Sequence, residues 1–167
     1  MIFNKEVNAS IKVGFNKLIS PNFIEADNFK LNLKLIGIED KILKDISSVK
    51  NKEFYVEKIF EKGFKVGINS SLKNLQALNK ELGGYKLSFD VEFLPTKDIK
   101  KKIENNNFDF LKAKMFLETS PEIAIFIMNA VPDIAFLFEL AKKEKDKVIL
   151  DLELKNGKLY SEGKLIK

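Results

Sequence analysis

The sequence predicts an α+β fold: a curved, mainly antiparallel sheet of about six or seven strands, with helices packed on one face. Three observations carry this. Apolar residues alternate strictly with polar ones over several segments, the pattern of strands with one face buried and the other wet. Between those segments apolar residues recur at helical spacing. Near the end, Asn156-Gly157 separates two alternating runs, the strongest short-range hairpin signal a sequence offers. A length of 167 residues fits a single domain over 1–167 with one sizeable core.

The strands are placed as follows. Val7, Ala9, Ile11, Val13 and Phe15 alternate with polar or small residues, as do Phe29, Leu31, Leu33 and Leu35. Phe64, Val66 and Ile68 make a short third strand, and Tyr85–Phe93 is apolar on one side and polar on the other. Leu111, Ala113, Met115 and Leu117 follow, then Val148, Leu150, Leu152 and Leu154, then a final run from Leu159 to Ile166. Helices are expected in between. Ile42, Leu43, Ile46 and Val49 share a face, and so do Tyr55, Val56, Ile59 and Phe60, with Gly63 placed to stop that helix. Leu72, Leu75, Leu78 and Leu82 form a stripe after a Ser70-Ser71 cap, ended by Gly83-Gly84. Thr96 is placed to cap a short helix carrying Ile99 and Ile103, and Ser120-Pro121-Glu122 opens a long apolar helix.

Composition excludes much chemistry. There are 29 lysines and no arginine, against 24 acids, for a net charge of +5; cysteine, histidine and tryptophan are absent. Thiol chemistry, disulfides, histidine acid–base catalysis and the usual zinc sites are therefore ruled out, and no metal or cofactor is expected. A pI near 9.2 raises nucleic-acid binding, but the lysines mostly alternate with acids. The one pure run, Lys100-Lys101-Lys102, is soon followed by Glu104, and the arginine fork that reads bases and phosphates is missing. Nucleic acid is not expected as a partner.

Each candidate for catalysis has a simpler reading. Ser70-x-x-Lys73 has the spacing of an activated serine, but so do Ser47/Lys50 and Ser161/Lys164, and the S-D-N and K-T-G companions are lacking. Asp90 with Glu92, and Asp151 with Glu153, pair carboxylates on one strand face, where solvated charge is the ordinary outcome. Gly83-Gly84 lacks the rest of a phosphate loop. No catalytic residue is assigned, and an enzyme is not expected.

The most distinctive segment is Ile123–Leu140. Glu122, Asn129 and Asp133 fall in one narrow stripe, and nearly everything else is apolar. Asn129, Pro132, Asp133 and Glu139 make it a poor membrane span. Pro132 should kink it. Such a helix must be surrounded, either as the centre of a core or as the lining of an apolar groove for lipid or a partner. Candidate groove residues are Ile123, Phe126, Ile127, Phe136 and Phe138.

The C-terminal half also carries a resemblance. A strand (Leu111–Glu118), a long apolar helix (Pro121–Leu140), a charged break (Lys142–Lys147) and a closing hairpin follow one another. Asn156-Gly157-Lys158-Leu159 and Glu162-Gly163-Lys164-Leu165 resemble the short glycine motifs that close the YdgA-like family of bacterial envelope proteins of unknown function, with Glu162 departing from the family's usual Asn. The resemblance implies an N-terminal membrane anchor, a periplasmic body near the membrane, and no catalytic residue. The first residues, Met1-Ile2-Phe3-Asn4-Lys5-Glu6, lack the pattern of an export signal, which leaves the cytoplasm as the alternative location. The strand-like end points to a piece of a longer, anchored protein. The function expected is thus a non-catalytic, envelope-associated binding or scaffolding domain with an unidentified protein partner. The alternative is a carrier of lipid or another apolar ligand in a sheet-lined groove.

Overall fold

A computed structural model describes residues 6–20, 24–40, 44 and 52–166. The elements run β1 (Glu6–Ser20), β2 (Ile24–Glu39), α1 (Lys52–Lys62), β3 (Phe64–Ala77), β4 (Lys80–Phe93), α2 (Ile99–Glu104), β5 (Leu111–Thr119) and α3 (Pro121–Ala130). A 3-10 segment (Pro132–Leu140), β6 (Lys142–Lys143), β7 (Val148–Lys155), β8 (Lys158–Ser161) and β9 (Lys164–Leu165) complete the order. All strands join one antiparallel sheet, ordered β1-β2-β3-β4-β5-β7-β8-β9, with β6 also paired to β7.

This corrects the α+β expectation: the described chain is mostly sheet, with nine strands rather than six or seven, and its helices are minor. Two causes are local. The Leu72–Leu82 stripe is not a helix. It belongs to β3 and β4, which turn at Leu78-Asn79 with φ of 49° and 62°, the positive values of a type I′ hairpin. The β3–β4 register shifts between Leu72 and Leu75 and again after Leu75, so the side-chain alternation is broken there and leucines three apart imitate a helical stripe. Gly84 is not a helix stop; a Cβ on it would lie 2.4 Å from the Leu72 carbonyl oxygen and 2.3 Å from that of Lys73, so the bulged strand needs its glycine. The other cause is the final run, which folds into two strands because Glu162-Gly163 (φ 48° and 75°) makes a second tight turn.

Two other expectations hold in detail. Asn156-Gly157 joins β7 to β8 in a two-residue turn with φ of 53° and 69°. Gly63, at φ 74°, stops α1 and donates its N–H to the Ile59 carbonyl at 3.1 Å. Thr96 does not cap α2: Asp98 occupies that position, while the buried Thr96 donates its N–H to the Phe60 carbonyl at 2.8 Å. Apart from residue 44, the helix expected over 42–49 lies outside the described residues.

Register gives the sheet two faces of opposite character. On one, apolar rows cross the strands: Ile11, Leu33, Ile68, Phe89, Met115 and Leu152 stand in line, and Ala9, Leu35, Val66, Val91, Ala113 and Leu154 form the next row. Caps sit over the two ends of this face. At one end Phe60 of α1 meets Phe64, Phe93 and Phe110 edge-on, with ring centroids 5.3–6.3 Å apart. At the other, α3 and the 3-10 segment cover a core of Leu117, Ala124, Phe138, Val148, Leu150 and Leu152. The opposite face is polar.

Candidate apolar groove

The groove begins with how the chain enters α3. The Ser120 hydroxyl accepts the Ile123 N–H at 3.3 Å, capping the helix, and donates to the Leu82 carbonyl in β4. Pro121 at the first helical turn has no N–H to satisfy. The Ser120 N–H and the Thr119 hydroxyl both donate to the Gly84 carbonyl, at 3.1 and 3.3 Å. The start of α3 is thereby pinned over β4.

At its other end α3 stops at Ala130, before Pro132, and the chain continues as nine residues of 3-10 helix. Proline lacks the donor that would extend the α ladder and crowds the preceding turn, so the expected kink is a break. The Ser161 hydroxyl of β8 donates to the Leu140 carbonyl at 3.3 Å and holds the far end down.

Under this cap lies an apolar cavity of about 470 Å³. The sheet supplies its floor through Leu72 and Leu75 of β3, Tyr85 and Leu87 of β4, Met115 and Leu117 of β5, and Leu150 of β7. The roof is Ile123, Phe126 and Ile127 of α3 with Ile134, Leu137 and Phe138 of the 3-10 segment. The Tyr85 hydroxyl is the only side-chain polar group among these residues, and it hydrogen-bonds the Ser70 hydroxyl at 2.9 Å. The volume lies within the range of small-molecule sites, about 300–1,000 Å³.

Four of the five residues expected to line a groove meet here: Ile123, Phe126, Ile127 and Phe138. Phe136 does not. It lines a second hollow of about 480 Å³ on the far side of the cap, with Ile125, Met128, Glu139 and Lys143, and Phe138 forms a wall of both. Nor is the apolar segment surrounded as expected. Ile123 and Phe138 are buried, but Phe126 and Phe136 are each 59% exposed, because the segment lies on one side of the sheet rather than inside it. No described helix is long and apolar enough to cross a membrane.

Sequence reasoning missed Leu72 and Leu75 by reading them as helical, and missed Tyr85, Leu117, Ile134 and Leu137. The alternation of Val66, Ile68, Ser70 and Leu72 was the available signal for β3 continuing.

The other candidates resolve into structure. Ser70 and Lys73 sit on a strand rather than one helical turn apart, and the Ser70 hydroxyl is taken by Tyr85. Ser70-Ser71 caps nothing. Ser47 and Lys50 lie outside the described residues, and the Ser161 hydroxyl bonds Leu140. Glu92 is bridged to Lys65 at 3.0 Å and to Lys112 at 3.5 Å. The hydrogen bond from Lys65 is the largest influence holding its carboxyl below the usual range. Asp151 and Glu153 stand on the polar face opposite Phe116 and Lys114. Among the described residues no three acidic side chains gather where they could hold a metal ion. No protein-family model, curated protein or solved structure matches this chain, so the groove is read from its own residues.

Proposed function

We propose that the chain is a non-catalytic binding domain that holds an apolar ligand, by size and chemistry a lipid acyl chain, between its apolar sheet face and the α3 cap. The observation that carries this reading is the cavity of about 470 Å³, whose one side-chain polar group is already hydrogen-bonded within the protein. An apolar space that offers no free side-chain polar partner is a poor site for ordered water and a good one for hydrocarbon. Phe126, a large aromatic on the roof, is left largely exposed. The apolar face extends beyond the cavity to the end that the Phe60 cap covers. From the Tyr85–Thr119 pair to the Phe93–Leu111 pair the apolar face runs eight residues, about 27 Å at strand rise. One acyl chain reaches about 15 Å, half of a bilayer's hydrocarbon core. The cell envelope as its setting, periplasmic and near a membrane, comes from the resemblance to YdgA-like proteins.

The test is binding of dansyl-undecanoate to delipidated protein, followed by fluorescence, together with native mass spectrometry of gently extracted protein. Saturable enhancement, abolished in an Ile127→Trp variant that fills the cavity while keeping the fold, is the expected result. Absence of both probe binding and co-purified lipid would remove the reading.

A second reading, a partner-binding or scaffolding surface, is favoured by β1. Its Ile11, Val13 and Ile19 are 53–63% exposed, and β1 pairs on one side only among the described strands, so it offers both an apolar face and a free strand edge.

A further inference from the structure

The polar face carries a second built feature, opposite the apolar groove and independent of it. Register places Lys12, Asn32, Asn69, Ser88 and Phe116 in one line across β1 to β5. Beside it runs the line Gly14, Lys30, Ser71 and Lys86. Strand spacing makes the first line about 19 Å long, and two residues of strand rise separate the lines by about 7 Å. Together they floor a hollow of about 670 Å³.

Three properties distinguish this hollow from the rest of the polar face. First, lysines outnumber acids at it, with Glu118 beside Lys86 and Asp151 beside Phe116 only at its edge. Lys12, Lys30 and Lys86 line it without a carboxylate. Lys12 and Lys30 make no ion pair among the described residues, and Lys86 reaches only Glu118, at 3.5 Å, whose same oxygen is shared with Lys147 at 3.4 Å. One line further along, Lys34, Asp90, Lys114 and Glu153 interleave charges of both signs, and Glu92 bridges Lys65 and Lys112. Second, the hollow contains amide capacity that the fold does not use: among the described residues the buried Asn32 side-chain oxygen has no hydrogen-bond partner, beside Asn69 on the next strand. A buried, unpaired amide oxygen is costly unless a ligand or water completes it. Third, Phe116 stands on the wet face, 37% exposed, at the end of the amide line.

We propose that this hollow binds an acidic oligosaccharide lying across the strands. Amides and hydroxyls that both donate and accept match the hydroxyl edges of a sugar. Lysines act as unforked point charges toward its carboxylates, and the ring of Phe116 offers an apolar face to the carbon side of one sugar ring. A single-stranded nucleic acid fits less well, because it needs successive aromatic platforms and the hollow has one. An acidic peptide would leave the aromatic end without a specific role.

The test uses the full chain and hexagalacturonate as probe, titrated calorimetrically at low and moderate salt. Maltohexaose serves as the neutral sugar and hexathymidylate as the anionic polymer without sugar hydroxyl faces; a hexaglutamate peptide covers the peptide case. Hexagalacturonate is expected to bind saturably, more weakly as salt rises, and more tightly than the other three. Lys30→Gln with Lys86→Gln, and separately Phe116→Ala, should each lower its affinity about tenfold or more, the scale of one lost charge-assisted or stacking contact. Lys112→Gln, on the same face but outside the hollow, should leave it unchanged. Circular dichroism and the thermal midpoint check that each variant is folded, and Asn69→Ala, at an exposed position, replaces any that is not. No saturable binding, equal or tighter binding of hexathymidylate or hexaglutamate, or an equal loss in Lys112→Gln would overturn the proposal.

Discussion

Phe138 and Phe136 lie two residues apart in the same 3-10 segment, yet the structure gives them different energetic roles. Phe138 is 4% exposed and forms the wall between two hollows of about 470 and 480 Å³; Phe136 is 59% exposed and lines only the outer one. Truncating a buried phenylalanine to alanine removes its transfer free energy and leaves unfilled space, for a total of about 3–5 kcal/mol. Because hollows already flank Phe138, some of its ring lacks packed neighbours, which places Phe138→Ala near the lower end, about 3 kcal/mol. Phe136 has less than half its surface to lose and leaves no enclosed void, so Phe136→Ala should cost about 1 kcal/mol or less. The difference, about 2 kcal/mol, is readable from urea unfolding followed by circular dichroism, provided the slopes agree. Should Phe138→Ala fail to fold, Phe138→Leu keeps most of the volume and should cost about 1 kcal/mol. Equal losses at the two positions, or a larger one at Phe136, would refute the placement of the cap and with it the groove.

Two further outcomes follow from local geometry. Leu78, 77% exposed, is held at φ 49° in the β3–β4 turn, where a leucine carries backbone strain; Leu78→Asn should raise stability by about 1 kcal/mol, measured by thermal unfolding. Glu92 is held below its ordinary pKa chiefly by the hydrogen bond from Lys65, against a smaller opposing effect of burial. A depressed carboxylate stabilises the fold above its unfolded pKa and loses that contribution as pH falls through the folded value. Lys65→Ala should therefore move the Glu92 midpoint upward in a carbon-13 NMR titration and flatten the acid-side fall in stability.

What was legible in the sequence was local. Asn156-Gly157 dictates its own backbone geometry, and Tyr85–Phe93 alternates without interruption. Ser120-Pro121 and Pro132 bracket α3 by simple donor arithmetic. What misled was also local in origin but needed a partner strand to interpret. A bulge between Leu72 and Leu75 is defined only against Tyr85 and Gly83, so in one strand's sequence it imitates a helix. Four of the six roof residues could be named because they lie in one contiguous segment. The floor of the groove draws on four strands, and only pairing aligns them. The polar hollow was invisible for the same reason: Lys12, Asn32, Asn69, Ser88 and Phe116 are spread over more than a hundred residues and become neighbours only through register.

The 3-10 segment has a mechanical consequence. Nine residues at about 2.0 Å rise span about 18 Å, whereas the same residues wound as an α-helix would span about 13.5 Å. The segment thus reaches about 4.5 Å further than an ideal α-helix of the same residues, and it is held at one end by the α3 junction and at the other by Ser161 on Leu140 and by the pairing of Lys142 and Lys143 with β7. It forms a strap across the sheet. The width of the apolar space therefore follows from how this segment is wound between its two fixed ends, with Phe138 held in the core between them.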